Sequence, residues 1–194
     1  MKENFPKWPE TKKTDKEKAE AQAHYDKQSG IIKEALSTPN HSLNELIKLM
    51  RERGETAVYL CGTRLDSDYC FGSNELGTAI SALPQDGEKA AEPGFHPGST
   101  EVYVIFQGSL IMESLKSGHL CTQNCGQFDV VVIPPGQCHG VRNEQEREAA
   151  SFIVKTNPHH KPSILRCNKC SYYSDPNKCP VYMSWLREKN ELSK

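Results

Sequence analysis

The spacing of apolar side chains changes character near residue 55, and that change divides the chain. Upstream, residues 15–37 hold E-K-A-E-A-Q-A-H-Y-D-K, a run of strong helix formers. Gly30 then precedes Ile31, Ile32, Ala35 and Leu36, which predicts one long helix or two short ones broken at the glycine. Ser42 followed three residues later by Glu45 is a capping-box pattern, and Leu43, Leu46, Ile47 and Met50 share one helical face before Gly54. Downstream the apolar residues come in short β-type runs between Gly, Pro, Asn and Asp: T-A-V-Y-L-C-G-T, D-Y-C-F-G, G-T-A-I-S-A-L, E-V-Y-V-I-F-Q, S-L-I-M-E-S-L, F-D-V-V-V-I and A-S-F-I-V-K-T. Many short strands with frequent turns predict an all-β sandwich or barrel. Helical periodicity returns only in Y-M-S-W-L-R-E-K-N-E-L, a candidate terminal helix.

The boundaries that follow are an arm and helical extension at 1–55, a β barrel at 56–158 and a Cys-rich tail at 159–194. Residues 1–15 lack an apolar pattern and read as a solvated arm, with Phe5 and Trp8 as its packing side chains. A chain of 194 residues with 36% hydrophobic content builds one modest core rather than two. Its formal charge of −1 offers no attraction to nucleic acid or to an anionic membrane. A helix-turn-helix reading of the two N-terminal helices also fails, because Lys48, Arg51 and Arg53 are balanced by Glu45, Glu52 and Glu55. There is no apolar run long enough to span a bilayer, and M-K-E-N-F-P-K-W-P-E lacks the apolar segment of a secretory signal. The expectation is a cytoplasmic protein whose partner is a small molecule and whose eight cysteines are thiols.

Two segments carry chemistry: G-F-H-P-G-S-T-E-V-Y-V-I-F-Q-G at 94–108 and V-I-P-P-G-Q-C-H-G-V-R-N at 132–143. Strand alternation puts Glu101, Tyr103 and Ile105 on one side and Val102, Val104 and Phe106 on the other. With the valines packed, Glu101 looks into a cavity beside Tyr103. P-G-S-T can turn the chain so that His96 meets Glu101. In the second segment Pro134 and Pro135 end a strand, Gly136 permits a tight turn and His139 opens the returning strand. Two imidazoles and a carboxylate can hold a divalent metal while leaving coordination positions open.

These segments resemble the two motifs of the cupin superfamily, G-x5-H-x-H-x3,4-E-x6-G and G-x5-P-x-G-x2-H-x3-N. The matching positions are His96, Glu101 and Gly108, then Pro134, Gly136, His139 and Asn143. The resemblance implies a double-stranded β-helix jelly roll with an N-terminal helical extension, one divalent metal on His96, Glu101 and His139, and a homodimer. Gly94 stands where the family has its first histidine, and Phe128 stands where the second motif opens on glycine. A degenerate, metal-free barrel and an open three-ligand site are both compatible with Gly94, and survival of the other three ligands favours the site.

In ligand set the chain is similar to the 3-hydroxyanthranilate dioxygenase type of cupin, which also lacks the first histidine and in its bacterial form has a cysteine-rich metal-binding tail. Here four residues separate His96 from Glu101, where that family has five. The resemblance implies Fe(II) first, with Zn, Mn or Ni as alternatives, and dioxygenation of a small polar substrate. Metal-assisted isomerisation or lysis is the second reading, and a non-catalytic ligand sensor the third. Tyr103 is the candidate hydrogen-bond donor or acid beside the metal. Arg142 is a candidate for binding a substrate carboxylate, although it lies one position from where that family's arginine would fall, at Asn143.

Cys167, Cys170 and Cys179 have the spacing of a structural zinc clip, with His159 or His160 as fourth ligand; an iron–sulfur cluster and plain reduced thiols remain the other readings. Cys121 and Cys125 read as a surface hairpin with two thiols, Cys138 as pointing away from the site, and Cys61 and Cys70 as buried small side chains. His24, His41 and His119 read as surface or capping residues, with His119 the one that could serve as a late fourth metal ligand.

Overall fold

The computed structural model of the protein describes residues 14–39, 42–61, 76–84, 91–96, 98–116, 119–143, 145, 147–156, 165–166 and 179–184. Helix α1, Asp15–Ser37, runs through Gly30 without a break. A mid-helix glycine costs only about 1 kcal/mol, and packing offsets it: Gln28, Ile31 and Ala35 form a buried stripe. Gln28 also reaches the sheet edge, donating to the Ala57 carbonyl at 3.0 Å and accepting from the Tyr59 amide at 3.4 Å. Helix α2, Leu43–Glu52, begins where the capping pattern placed it, with the Ser42 hydroxyl accepting from the Glu45 amide at 3.2 Å. Leu46, Ile47, Leu49 and Met50 are its buried face.

Among the described residues ten strands follow: β1 Ala57–Cys61, β2 Leu76–Leu83, β3 Ala91–Phe95, β4 Glu101–Gln107, β5 Leu110–Lys116, β6 His119–Cys125, β7 Val130–Ile133, β8 His139–Arg142, β9 Ala149–Thr156 and β10 Leu165–Arg166. They form two five-stranded antiparallel sheets, ordered β1-β2-β9-β4-β7 and β10-β3-β8-β5-β6. The all-β fold with helical extension is as the alternation predicted. The expected strand D-Y-C-F-G lies outside the described residues, as do Cys61's side chain, Cys70 and most of the terminal helix, of which a turn at 180–184 is described.

Three strands carry no clear sequence signal. Strand β3 contains Pro93 and Gly94, which fall where its register with β8 shifts between Ala91 and Gly94, so a bulge accommodates the proline. Strand β6, H-L-C-T-Q-N-C, is a polar edge strand in which only Cys125 is buried. The expected two-thiol hairpin at Cys121 and Cys125 is the antiparallel pair of β5 and β6, but Cys125 is in the core and not on the surface. Strand β10 has only two residues.

Alternation then sorts the side chains into two cores. Ile80, Ala82 and Ala150 point outward from the first sheet and pack beneath α1 and α2 with Ile31, Leu46, Ile47, Met50 and Val58. Tyr103, Ile105, Leu110, Met112, Val131, Ile133 and Val141 fill the space between the sheets. Gly108 closes the first motif at φ +68°, and a Cβ there would lie 2.8 Å from the Glu148 carbonyl oxygen, so both backbone and space require glycine.

Candidate metal centre

At one end of the barrel three strand termini converge. His96 follows β3, Glu101 opens β4 and His139 opens β8. Besides the pairing of β3 with β8 and of β4 with β7, a loop contact ties the two sequence motifs together, the Gly136 amide donating to the His96 carbonyl at 2.8 Å. Gly136 has φ 78°, so the left-handed turn after the two prolines is what aims that amide. His139 is in direct register with Gly94 on one side and Ser114 on the other. Its Nδ1 faces the Gln137 carbonyl at 3.4 Å, which leaves Nε2 directed at Glu101.

Glu101 Oε2 lies 2.9 Å from His96 Nε2 and 3.0 Å from His139 Nε2, and all three side chains are buried. The rings face one another at 5.6 Å. Although those distances suit hydrogen bonds, no ring N–H is aligned on Oε2, which is buried without a hydrogen-bond partner. Three donor atoms within 4.8 Å of one another thus converge on a common point instead of satisfying each other. Among the described residues this is the group able to hold a metal ion, and a carboxylate with two imidazoles suits a divalent one.

The electrostatics agree. Burial, the largest single influence on Glu101, pushes its carboxyl up, but the close approach of His139 and His96 outweighs it and holds the group well below the usual carboxylate range. For His96 burial wins over the attraction of Glu101, and with repulsion from Lys155 and His139 it keeps the imidazole below its ordinary value. An ionised carboxylate and a neutral imidazole are the ligand forms a metal needs.

Tyr103 is two residues along β4 on the same face, buried, with its ring edge-on to His139 at 6.3 Å. Arg142 is not brought to the site. By alternation it faces away from the barrel interior that His139 and Val141 enter, and its Nη2 lies 3.2 Å from Glu113 Oε1, so the partner read for it from sequence gives way to Glu113. Asn143, the last position of the second motif, is a structural node: Nδ2 reaches the carbonyls of Leu83, Pro84 and Arg147 at 3.2, 3.0 and 2.8 Å, and Oδ1 accepts from the Gln145 amide. His119 is exposed at the start of β6, outside the cluster. Cys167 and Cys170 lie outside the described residues, and Cys179 is buried. Sequence reading passed over Lys155, which pairs with Glu101 across β4 and β9 and is buried; its signal was a lysine at an inward position of the apolar run A-S-F-I-V-K-T.

Comparison with known proteins agrees with this architecture. The chain is 31% identical over 86 residues to germin-like protein subfamily 3 member 3 of Arabidopsis thaliana, a match covering 43% of this chain and 40% of that protein. The chain therefore spans less than half the length of that curated relative. Among solved structures it is similar to a recombinant oxalate oxidase in complex with glycolate, at 22% identity and a TM-score of 0.47, over 80% of this chain and 68% of that one. It is also similar to the oxalate decarboxylase formate complex of Lactobacillus farciminis, at 25% identity and a TM-score of 0.46, over 59% and 32% of the two chains. The cupin family model matches residues 67–172, more than half of the sequence, and both metal-ligand motifs fall inside that span: the chain belongs to the cupin family.

Proposed function

We propose that the protein is a metal-dependent enzyme acting on a small polar organic substrate, a non-haem Fe(II) dioxygenase. The observation that carries the reading is the convergence of His96, Glu101 and His139 on one point, with Glu101 Oε2 buried and lacking an aligned donor. A metal held there by two imidazoles and one carboxylate supplies Lewis acidity and, as Fe(II), reactivity toward dioxygen. The chain does the rest. Glu101 provides the one anionic ligand, the two histidines provide neutral donors, and Gly94, in register with His139, leaves open the position that the family fills with a further histidine. Tyr103, Ile133 and Met112 wall the interior against water, and the Tyr103 phenol is the group assigned to hold or deliver a proton to the substrate. The reading includes a homodimer, supported by the exposure of Val130 and Val132 on edge strand β7, and is checked by light scattering.

The test is metal analysis of the purified protein coupled to an oxygen-uptake screen. Iron near one per chain with substrate-linked uptake supports the dioxygenase. Bound metal with no uptake for any substrate turned over points to isomerisation or lysis at the same site. Replacing His96 and His139 together removes the barrel metal; unchanged metal content in that variant would overturn the assignment.

A further inference from the structure

The C-terminal segment 179–184 lies beyond the span that the cupin family model matches, yet it packs directly behind the strands that carry the two histidines. Gly140 follows His139 on β8 and faces the opposite side of the sheet, in register with the outward Glu113. Its missing side chain leaves a notch: a Cβ there would lie 3.4 Å from both Val181 Cγ1 and Pro93 Cγ. Val181 fills that notch and is fully buried, as are Pro93 alongside it and Cys179 two residues before it. Further along the segment, Ser184 donates to Glu113 Oε1 at 3.1 Å.

Val181 presses on the weak point of β3. The register of β3 with β8 shifts between Ala91 and Gly94, and Pro93, inside that bulge, has no amide hydrogen to give to the ladder. The ladder alone holds this stretch loosely, and side-chain packing supplies the rest. Beyond the bulge, Gly94 is paired with His139 and His96 follows two residues later. The spacing of the two imidazoles, whose centroids are 5.6 Å apart, thus depends on how closely β3 and β8 are held at Gly140. A metal site tolerates ligand displacements of only about 0.2 Å. Removing two buried methyls behind it lets the surroundings partly collapse into the void.

We infer that Val181 is a positioning residue for the metal centre: lodged behind β3 and β8, it sets the spacing of His96 and His139, so that docking of segment 179–184 and metal binding reinforce each other. The inference rests on the metal-centre reading above and extends it to a segment behind the sheet. It is tested on the full chain with Mn(II), a hard ion that thiolates bind weakly, so that the tail cysteines do not contribute. Bound ion is counted by loss of the electron paramagnetic resonance signal of free Mn(II). Val181→Ala is expected to weaken binding at least ~10-fold, the lower end of what losing a ligand's support costs. Val58→Ala is the control, the same truncation at a fully buried site in the core beneath the helices. It should cost comparable stability and leave Mn(II) affinity within about 2-fold of wild type, the two sites being independent. Val181→Thr keeps the branched shape and should hold affinity within about 3-fold, even though its buried hydroxyl lowers stability.

Reciprocity of the coupling adds a measurement on the wild-type protein, which decides should Val181→Ala not fold. Saturating Mn(II) is expected to slow amide hydrogen exchange in 179–184 by at least ~10-fold. The Met183 amide, which donates to the Cys179 carbonyl at 2.9 Å, is one of those followed. Wild-type affinity in folded Val181→Ala, an equal loss in Val58→Ala, or an equal loss in Val181→Thr overturns the inference and leaves the metal reading standing. Exchange in 179–184 that is indifferent to bound Mn(II) does the same. If the wild type binds neither Mn(II) nor Fe(II), the metal reading falls and the inference with it.

Discussion

Strand β8 sends His139 into the barrel and Arg142 out of it, and each becomes part of a buried polar cluster. Outside, Arg142 meets Glu113 at 3.2 Å and Ser184 donates to the same carboxylate oxygen at 3.1 Å, so cation, anion and hydroxyl are all supplied by the chain. Inside, Glu101 meets two imidazoles at 2.9 and 3.0 Å, yet its Oε2 receives no aligned hydrogen. The difference lies in how the carboxylate is satisfied, since burial is common to both. The outer cluster pairs its carboxylate with a cation, although Arg142 Nε finds no hydrogen-bond partner, and fastens the segment at 179–184 to the second sheet; the inner one leaves its carboxylate oxygen without an aligned donor.

Charge removal separates them most sharply. Glu101→Gln keeps the shape of the ligand and removes the only anion of the triad. It should lower metal affinity by at least about 100-fold, beyond the 10- to 100-fold typical of residues that merely support a ligand. Glu113→Gln should leave metal affinity unchanged, as measured by competition with a chelating dye. If the two substitutions cost the same metal affinity, the contrast between the two clusters fails. Stability should respond in the opposite order for the metal-free protein. Glu113→Ala removes the carboxylate 3.2 Å from Arg142, at a cost of about 3 kcal/mol by urea denaturation. The double replacement Glu113→Ala with Arg142→Met should recover most of that loss, because no buried charge is left unmatched.

Acid provides a milder separation. His96 titrates below its ordinary value of 6.5 and Glu101 well below 4.5, burial being the leading cause for the first and the imidazole contacts overcoming burial for the second. In each case the unfolded chain binds the proton more readily than the folded one, so stability falls as pH falls. The His96 contribution is present above pH 6.5 and is lost as pH drops below it; the Glu101 contribution is lost only at pH below 4.5. Unfolding of the metal-free protein followed from pH 7.5 to 5 should therefore show declining stability, and His96→Gln should flatten that decline. A slope unaffected by the substitution would mean that the inner cluster does not govern the acid response.

How much of this was legible beforehand depends on which side chains carry a pattern. His96, Glu101 and His139 were readable because their spacing is tied to turn residues whose purpose is local, Pro134, Gly136 and Gly108 among them. Strand β4 was readable because E-V-Y-V-I-F-Q alternates. Strand β6 was not, because an edge strand exposed on most of its length needs no apolar alternation. The direction of Arg142 required only counting alternate residues from His139, but its partner Glu113 sits on another strand and depends on register, which no local pattern encodes. Lys155 escaped for the same reason: its meaning comes from facing Glu101 across β4 and β9, fifty-four positions away in the chain.

The smallest expected effect sharpens the comparison by touching neither cluster. Phe128 sits in the turn from β6 to β7, where the Asp129 amide donates to the Gly126 carbonyl at 3.1 Å and the Gly126 amide to Asp129 Oδ2 at 2.7 Å. Its φ is 72°, the third-position value that a type II turn reserves for glycine, and among the described residues it is the non-glycine with positive φ. The family motif has glycine at this position, so the backbone has kept the glycine conformation after losing the glycine. At 76% exposure the ring contributes little burial in return. Phe128→Gly should remove about 1–2 kcal/mol of left-handed strain and give back part of it to the greater freedom of the unfolded chain, for a net gain of about 0.5–1 kcal/mol. Phe128→Asn should gain less, since asparagine tolerates this region without matching glycine. Metal affinity should be unchanged in both. A loss of stability in Phe128→Gly would show that the exposed ring packs on a neighbour, and with Val130 and Val132 exposed on the same edge strand, a second subunit is where to look for it.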